Sequence, residues 1–416
     1  MDKFRIYGGK RLSGSCKIYA AKNACLPLYA ASFLTDERVI LHNVPRLCDI
    51  EKMEGILKEI GCEVLVRGDC VVISPQNADN FFVSANLAKE IRSSVFVLGS
   101  LLSRFRRAKI AYPGGCDIGA RPIDLHIKGL RTLGVKIEEK HGFIECDGSS
   151  MKPGMVHLDF PSVGATENLI MASCLLKGET TIINAAKEPE IVDLANFINK
   201  MGGKIFGAGT GTIRIVGVSK LKGCEFTPIG DRIVGGTMLI AGAMTGGGVE
   251  ISGINPEHLF SLTTKLHESG CQVSSKSDRI ILGTGGRRLK SVSIQTSPYP
   301  GFPTDLQAPM LAAQTVCRGT SVITENLFET RFKHVPELKK MGADITVNDR
   351  SAIIHGVKGL SGAEVFSQDL RGGASLVLAG LVASGYTTVC DVFHIDRGYF
   401  KFEEMLSAVG ADIKRI

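Results

Sequence analysis

LKEIGCEV (57–64), LRTLGVKI (130–137), INKMGGKI (198–205), LHESGCQV (266–273), LKKMGADI (338–345) and LSAVGADI (406–413) are six versions of one phrase. Each reads as the end of a helix, a glycine and the start of a strand. The glycines Gly61, Gly134, Gly202, Gly270, Gly342 and Gly410 are spaced 73, 68, 68, 72 and 68 residues apart. A glycine just past a helical pattern is a helix stop, and a period kept along the whole chain is internal repetition. Beyond the glycine comes a strand, a polar turn and a second strand, as in CEVLVRGDCVVIS (62–74) and ADITVNDRSAIIHG (343–356), which is a hairpin signature. The sixth copy stops after ADIKRI. FRIYG (4–8) matches the closing strands IRIVG (213–217), RIILG (279–283) and AIIHG (352–356), so the amino terminus is expected to complete the last unit.

A further strand recurs ahead of each phrase: ERVILHNVP, RAKIAYPGG, ETTIINAAK, GVEISGINP, TSVITENLF and YTTVCDVFH. The helix before it carries apolar residues at helical spacing, as in Ile91, Val95, Leu98, Leu102 and Phe105. The unit is therefore strand, helix, strand, helix, strand, strand. One unit cannot bury both faces of its helices, so several must share a core. Three units per lobe give lobes of ordinary domain size. The expected division is residues 22–229 in the first lobe, and 1–21 with 230–416 in the second.

Of 416 residues, 44% are hydrophobic and 22% charged, which excludes a disordered or fibrous chain. No run of 18 apolar residues exists to span a membrane, and MDKFRIYGGKRLSG lacks a signal-peptide core, so the protein is expected in the cytoplasm without membrane insertion. The 12 cysteines are scattered singly, with no ligand spacing, and neither a metal nor a cofactor is expected. Cys174 and Cys317 read as core residues. Cys116, in YPGGCDIGARP, has no apolar neighbours to bury it and reads as a reactive loop thiol. The net charge of +7 suits anionic small molecules and has no basic tail to favour nucleic acid.

Aligning the units places Lys22 with Asn23, Arg92, Thr166 with Glu167, Asp231 with Arg232, Asp305, and Arg371 at equivalent helix starts. The loops after the second strands hold Cys116, Glu188, His258, Arg331 and Arg397. Helix amino termini favour anions. Taken singly, Asp231, Glu167 and His258 read as caps or solvated charges. Several arginines around a glycine-rich cysteine loop together describe a pocket for phosphate and carboxylate.

The stretches AAKNACLPL (20–28), LHNVP (41–45), PGGCDIGARPIDLHIKG (113–129), SVGATENLIMA (162–172), YPGFPTDLQAPM (299–310), RFKHVPELKKMGAD (331–344), DLRGGASLVLAG (369–380) and IDRGYFKFEEML (395–406) resemble the enolpyruvyl transferase family along essentially the full chain. The resemblance implies a two-lobed, inverted α/β barrel-like fold of six βαβαββ repeats. It also implies transfer of the enolpyruvyl group of phosphoenolpyruvate to the 3′-hydroxyl of UDP-N-acetylglucosamine, the first committed step of peptidoglycan synthesis. By the same resemblance, Lys22, Arg121 and Arg397 hold phosphoenolpyruvate, with Arg92, Arg331 and Arg371 shaping its site. Asn23, Arg121, Pro122, Ile123, Asp124, Leu125, Ser162, Val163, Gly164, Asp305 and Leu327 contact the UDP-sugar. Cys116 donates a proton to the methylene carbon and is the thiol that fosfomycin alkylates, while Asp305 takes the proton of the sugar hydroxyl. Three positions depart from the family pattern: Ala20 for a usual glycine, Asp117 for a common alanine, and Phe160-Pro161 where a lysine often precedes SVGAT. The sister enzyme acting on shikimate 3-phosphate lacks the cysteine loop. An RNA-end-modifying or nucleic-acid-binding protein of related repeats, and a catalytically inactive regulatory paralogue, are the alternatives.

Overall fold

The computed structural model describes residues 2–114 and 123–416. They form two compact units, one of residues 20–114 and 123–229, the other of 2–19 and 230–416.

Each unit contains three four-stranded sheets with one wiring. In the sheet Phe82–Val83, Arg107–Ala111, Phe143–Asp147, Lys136–Lys140, the first two strands are parallel, and the third pairs antiparallel with both the second and the fourth. The sheet Ile294–Gln295, Thr320–Thr324, Ser351–His355, Asp344–Asn348 repeats that order in the other unit. Strands of this length with burial alternating along them need a helix on one face only.

Both units are closed by strands from distant parts of the chain. Glu225–Phe226 lies parallel to Val39–Leu41 as the first strand of its sheet, and Ser13–Lys17 lies parallel to Gly248–Ser252. Phe4–Tyr7 fills the gap between Tyr386–Cys390 and Asp412–Arg415, antiparallel to each. Lys3 and Ile416 exchange backbone hydrogen bonds of 2.9 Å, which ties the two ends of the chain together.

The helices sort by composition. Lys22–Ser32, Val163–Ser173, Arg232–Met244, Gln307–Thr315 and Leu370–Val382 are buried nearly all round, as a helix in the centre of a unit must be. Val163–Ser173 packs on Val97–Phe105, and Gln307–Thr315 on Leu370–Val382. The periodic stretch from Ile91 is two pieces, a 3-10 turn over Arg92–Phe96 and an α-helix from Val97. Cys174 and Cys317 are buried as expected of core residues.

All six repeat glycines are left-handed, with φ of 105, 91, 97, 106, 92 and 94° in chain order. That conformation ends a helix by returning the chain's N–H to its last carbonyls and sends it directly into the next strand. An alanine there carries a strain of about 1–2 kcal/mol. A methyl group at Gly342 would meet nothing within 4 Å, whereas at Gly61 it would lie 2.7 Å from the carbonyl oxygen of Asn77. Gly342→Ala is therefore expected to lower stability in urea by about 1–2 kcal/mol, and Gly61→Ala by distinctly more; equal midpoints would contradict this.

Candidate functional site

Burying a charge requires a partner, and the residues at the helix starts show how each finds one. In the unit of residues 20–229, Lys22 opens its helix in a buried position, with Nζ 3.0 Å from Asp49 Oδ2. Asp49 lies in the first turn of Cys48–Ile60, where the helix dipole favours a carboxylate. Asn23 is exposed beside it. Arg92 opens the 3-10 turn, and Ile123 immediately precedes the helix Asp124–Thr132, with Asp124 exposed and Leu125 half-buried.

Ser162 caps Val163–Ser173, its Oγ accepting the N–H of Ala165 at 3.4 Å. The turn at Ser162, Val163 and Gly164 rests on two rings: a methyl group on Gly164 would come within 3.0 Å of both His126 Cε1 and Phe96 Cε1. His126 is itself fixed by Asn168. The Asn168 amide accepts the Gly99 N–H at 2.7 Å and donates to the Val95 carbonyl at 2.9 Å and to His126 Nδ1 at 2.7 Å. In that network the neutral ring carries its proton on Nε2. Burial first, then the charge of Arg92, pushes the His126 imidazole down to about 3.

Glu167 corrects its sequence reading as a cap or solvated charge. It is fully buried, because its helix is buried nearly all round, and among the described residues neither carboxyl oxygen has a hydrogen-bond partner. Burial, with Glu190 and Glu188 nearby, pushes its carboxyl well above the usual range. Asp193 is likewise pushed up to about 7, chiefly by burial. Glu188 is half-buried and precedes the helix Pro189–Lys200 without a capping bond from its side chain.

In the other unit, Asp231 is a cap as read, its Oδ1 accepting the N–H groups of Ile233 and Val234 at 2.9 and 3.0 Å. Arg232 is buried, its guanidinium 5.7 Å from the Tyr299 ring centroid. Asp305 sits in the 3-10 turn Thr304–Leu306 between two arginines. Its Oδ1 accepts from Arg331 Nη2 at 2.5 Å and its Oδ2 from Arg371 Nη2 at 3.0 Å. The arginine side chains are 5% and 4% exposed, against 24% for Asp305. Burial alone would raise the Asp305 carboxyl; Arg371 and Arg331 outweigh it and hold the group well below the usual carboxylate range. Among the described residues, Arg331 Nε and Arg371 Nε and Nη1 are buried N–H groups without a hydrogen-bond partner. Guanidinium N–H groups of this kind hydrogen-bond most strongly to anionic acceptors.

Leu327 is half-buried in the loop after Thr320–Thr324. Arg397 ends the short helix Phe393–Asp396 and, after burial, helps push His394 below its ordinary value. His258 lies in the 3-10 turn Pro256–Leu259. Cys116, Asp117, Arg121 and Pro122 lie outside the described residues. The structure thus unites Asp305, Arg331 and Arg371, and sets Gly164 beside His126. Sequence reasoning missed Asp49, His126 and Asn168; only the first-turn position of Asp49 was a usable signal.

The chain belongs to the EPSP synthase (3-phosphoshikimate 1-carboxyvinyltransferase) family, whose profile matches residues 6–406. Among curated relatives, it is 50% identical over 417 residues to UDP-N-acetylglucosamine 1-carboxyvinyltransferase 2 of Caldanaerobacter subterraneus subsp. tengcongensis, covering 100% of both chains. It is 51% identical over 417 residues to the protein of the same name from Carboxydothermus hydrogenoformans, again covering 100% of both. Its fold is that of the enolpyruvyl transferase NikO from Streptomyces tendae, with a TM-score of 0.89 at 23% identity over 100% of this chain and 99% of the other.

The buried histidine gives a pH prediction. His126 binds a proton less readily folded, at about 3, than unfolded, near the ordinary 6.5, so its contribution to stability is lost as pH falls below 6.5. Asp193 acts in the opposite sense between its ordinary 3.8 and about 7, so the informative quantity is the difference between proteins. The melting-temperature gap between wild type and His126→Gln is expected to narrow from pH 7 to pH 4. A gap that stays constant or widens would contradict a buried neutral imidazole.

Proposed function

We propose that this protein transfers the enolpyruvyl group of phosphoenolpyruvate to the 3′-hydroxyl of UDP-N-acetylglucosamine, releasing phosphate and committing the sugar nucleotide to peptidoglycan. The observation that carries the reading in geometric terms is the Asp305 cluster: a carboxylate held by two buried guanidinium groups with further N–H donors that have no partner among the described residues. The names of full-length relatives at about half identity support the same reaction.

In this reading Lys22, Arg121 and Arg397 hold phosphoenolpyruvate, and Arg92, Arg331 and Arg371 complete its charge balance. Asn23, Arg121, Pro122, Ile123, Asp124, Leu125, Ser162, Val163, Gly164, Asp305 and Leu327 hold the UDP-sugar. The sugar oxygen adds to C2 of phosphoenolpyruvate as Cys116 protonates the methylene carbon to a methyl group. A methyl proton then returns to the Cys116 thiolate as the C–O bond to phosphate breaks, which restores the double bond, and the proton held by Asp305 leaves with the phosphate. Asp305 takes the hydroxyl proton in the first step. Clamped by two arginines it is a weak base, so the proton leaves as the oxygen attacks and as the arginines turn their unmatched donors to the incoming anion. Both substrates are phosphorylated metabolites, which favours the cytoplasm, and among the described residues no helix is long and apolar enough to cross a membrane.

Phosphate release from phosphoenolpyruvate is expected only when UDP-N-acetylglucosamine is present; release without it, or with RNA ends instead, would overturn the reading. Asp305→Ala is expected to lose turnover by roughly two to four orders of magnitude, the usual worth of positioned proton transfer. Alkylation of Cys116 by fosfomycin should survive that substitution. Near-normal turnover would remove Asp305 from the mechanism.

A further inference from the structure

Glu325 is fully buried directly after the strand Thr320–Thr324. Among the described residues, its carboxyl is held by neutral donors. Oε1 accepts from Thr296 Oγ1 at 2.9 Å, from the Leu327 N–H at 2.8 Å and from the Phe328 N–H at 3.2 Å. Oε2 accepts from Thr304 Oγ1 at 2.8 Å. Thr296 Oγ1 in turn accepts the N–H of Asn326 at 2.9 Å, and the Asn326 amide donates to the Thr296 carbonyl at 3.0 Å. One side chain therefore joins three segments that are far apart in the chain or turn sharply: the strand end at Thr296, the turn at Thr304 and the loop 326–328.

Two of these segments carry residues of the proposed reaction. Thr304 is the neighbour of Asp305 in its 3-10 turn. Leu327 stands in the loop assigned to the UDP-sugar. The same loop returns to Asp305 by a second route, because the Arg331 guanidinium lies 5.2 Å from the Phe328 ring centroid and bonds Asp305 Oδ1. Glu325, Thr304, Asp305, Arg331 and Phe328 form a closed ring of contacts. Resting on the proposed reaction, we propose that Glu325 is a positioning residue: it sets the distance and angle between the base Asp305 and the loop that seats the sugar nucleotide. It touches no reacting atom in this role. A buried carboxylate with four donors is rigid, since moving it would leave several of them unmatched at once.

The role separates from simple packing by where the damage falls. Thr304→Val removes only the arm from Glu325 to the Asp305 turn and keeps the shape; Thr304→Ser keeps the hydroxyl. Glu325→Gln keeps the shape and replaces one acceptor by a donor. In steady-state assays of phosphate release, Thr304→Val and Glu325→Gln are each expected to lower kcat by roughly 10- to 100-fold, the cost of a base misplaced by about 1 Å, with KM for both substrates within about twofold. Thr304→Ser should restore kcat to near wild type. A wild-type kcat in Thr304→Val, a loss that appears in KM, or failure of Thr304→Ser to restore the rate would overturn the proposal. Should Glu325→Gln not fold, the Thr304 pair decides alone. A wild-type protein without UDP-N-acetylglucosamine-dependent release would instead refute the assigned reaction, so the two failures are distinguishable.

Discussion

Everything in this chain is built on a helix that ends at a left-handed glycine and passes at once into a strand paired antiparallel with the middle of its sheet. The turn is the same six times, with φ between 91 and 106°, and in four of the six units the residue two past the glycine pairs with the residue thirteen past it. The constraint fixes the opposite end of each unit as well. Once the hairpin and the middle strand are set, the preceding helix must run through the centre of the unit, and its start comes up beside a loop. The helix starts are where Lys22, Asp231, Asp305 and Arg371 stand, and the loops bring Arg331 to Asp305.

Charge brought to the start of a buried helix is taken out of water, and each site answers that cost differently. Lys22 is paired with Asp49, and Asp305 is shared by Arg331 and Arg371. Glu325 is satisfied by hydroxyls and backbone N–H groups. Glu167 has no such help, and burial pushes its carboxyl above the usual range. The two arginines around Asp305 keep N–H groups that have no partner among the described residues, and an anionic substrate can use those donors.

The periodic features were legible in the sequence because they repeat. The glycine phrases gave the hairpins, and the FRIYG match pointed to the strand that sits between Tyr386–Cys390 and Asp412–Arg415. Which segments serve as first strands, Glu225–Phe226 and Ser13–Lys17 among them, was not legible, since strands at a sheet edge paired through parallel ladders carry little pattern of their own. The charged residues at helix starts stood out by alignment of the units. Their partners did not: the contacts of Glu325 with Thr304, of Asn168 with His126 and of Arg371 with Asp305 join residues 21, 42 and 66 positions apart, and no local spacing encodes them. Glu167 was misread because its helix shows no polar face to declare which side is exposed.

The family includes enzymes that act on different acceptors, so the acceptor is the central claim. The direct measurement offers UDP-N-acetylglucosamine and shikimate 3-phosphate together with phosphoenolpyruvate and follows the products by mass spectrometry. The enolpyruvyl group is predicted on the sugar nucleotide, with shikimate 3-phosphate unchanged. Enolpyruvyl shikimate 3-phosphate, or no transfer to either acceptor, would contradict the account.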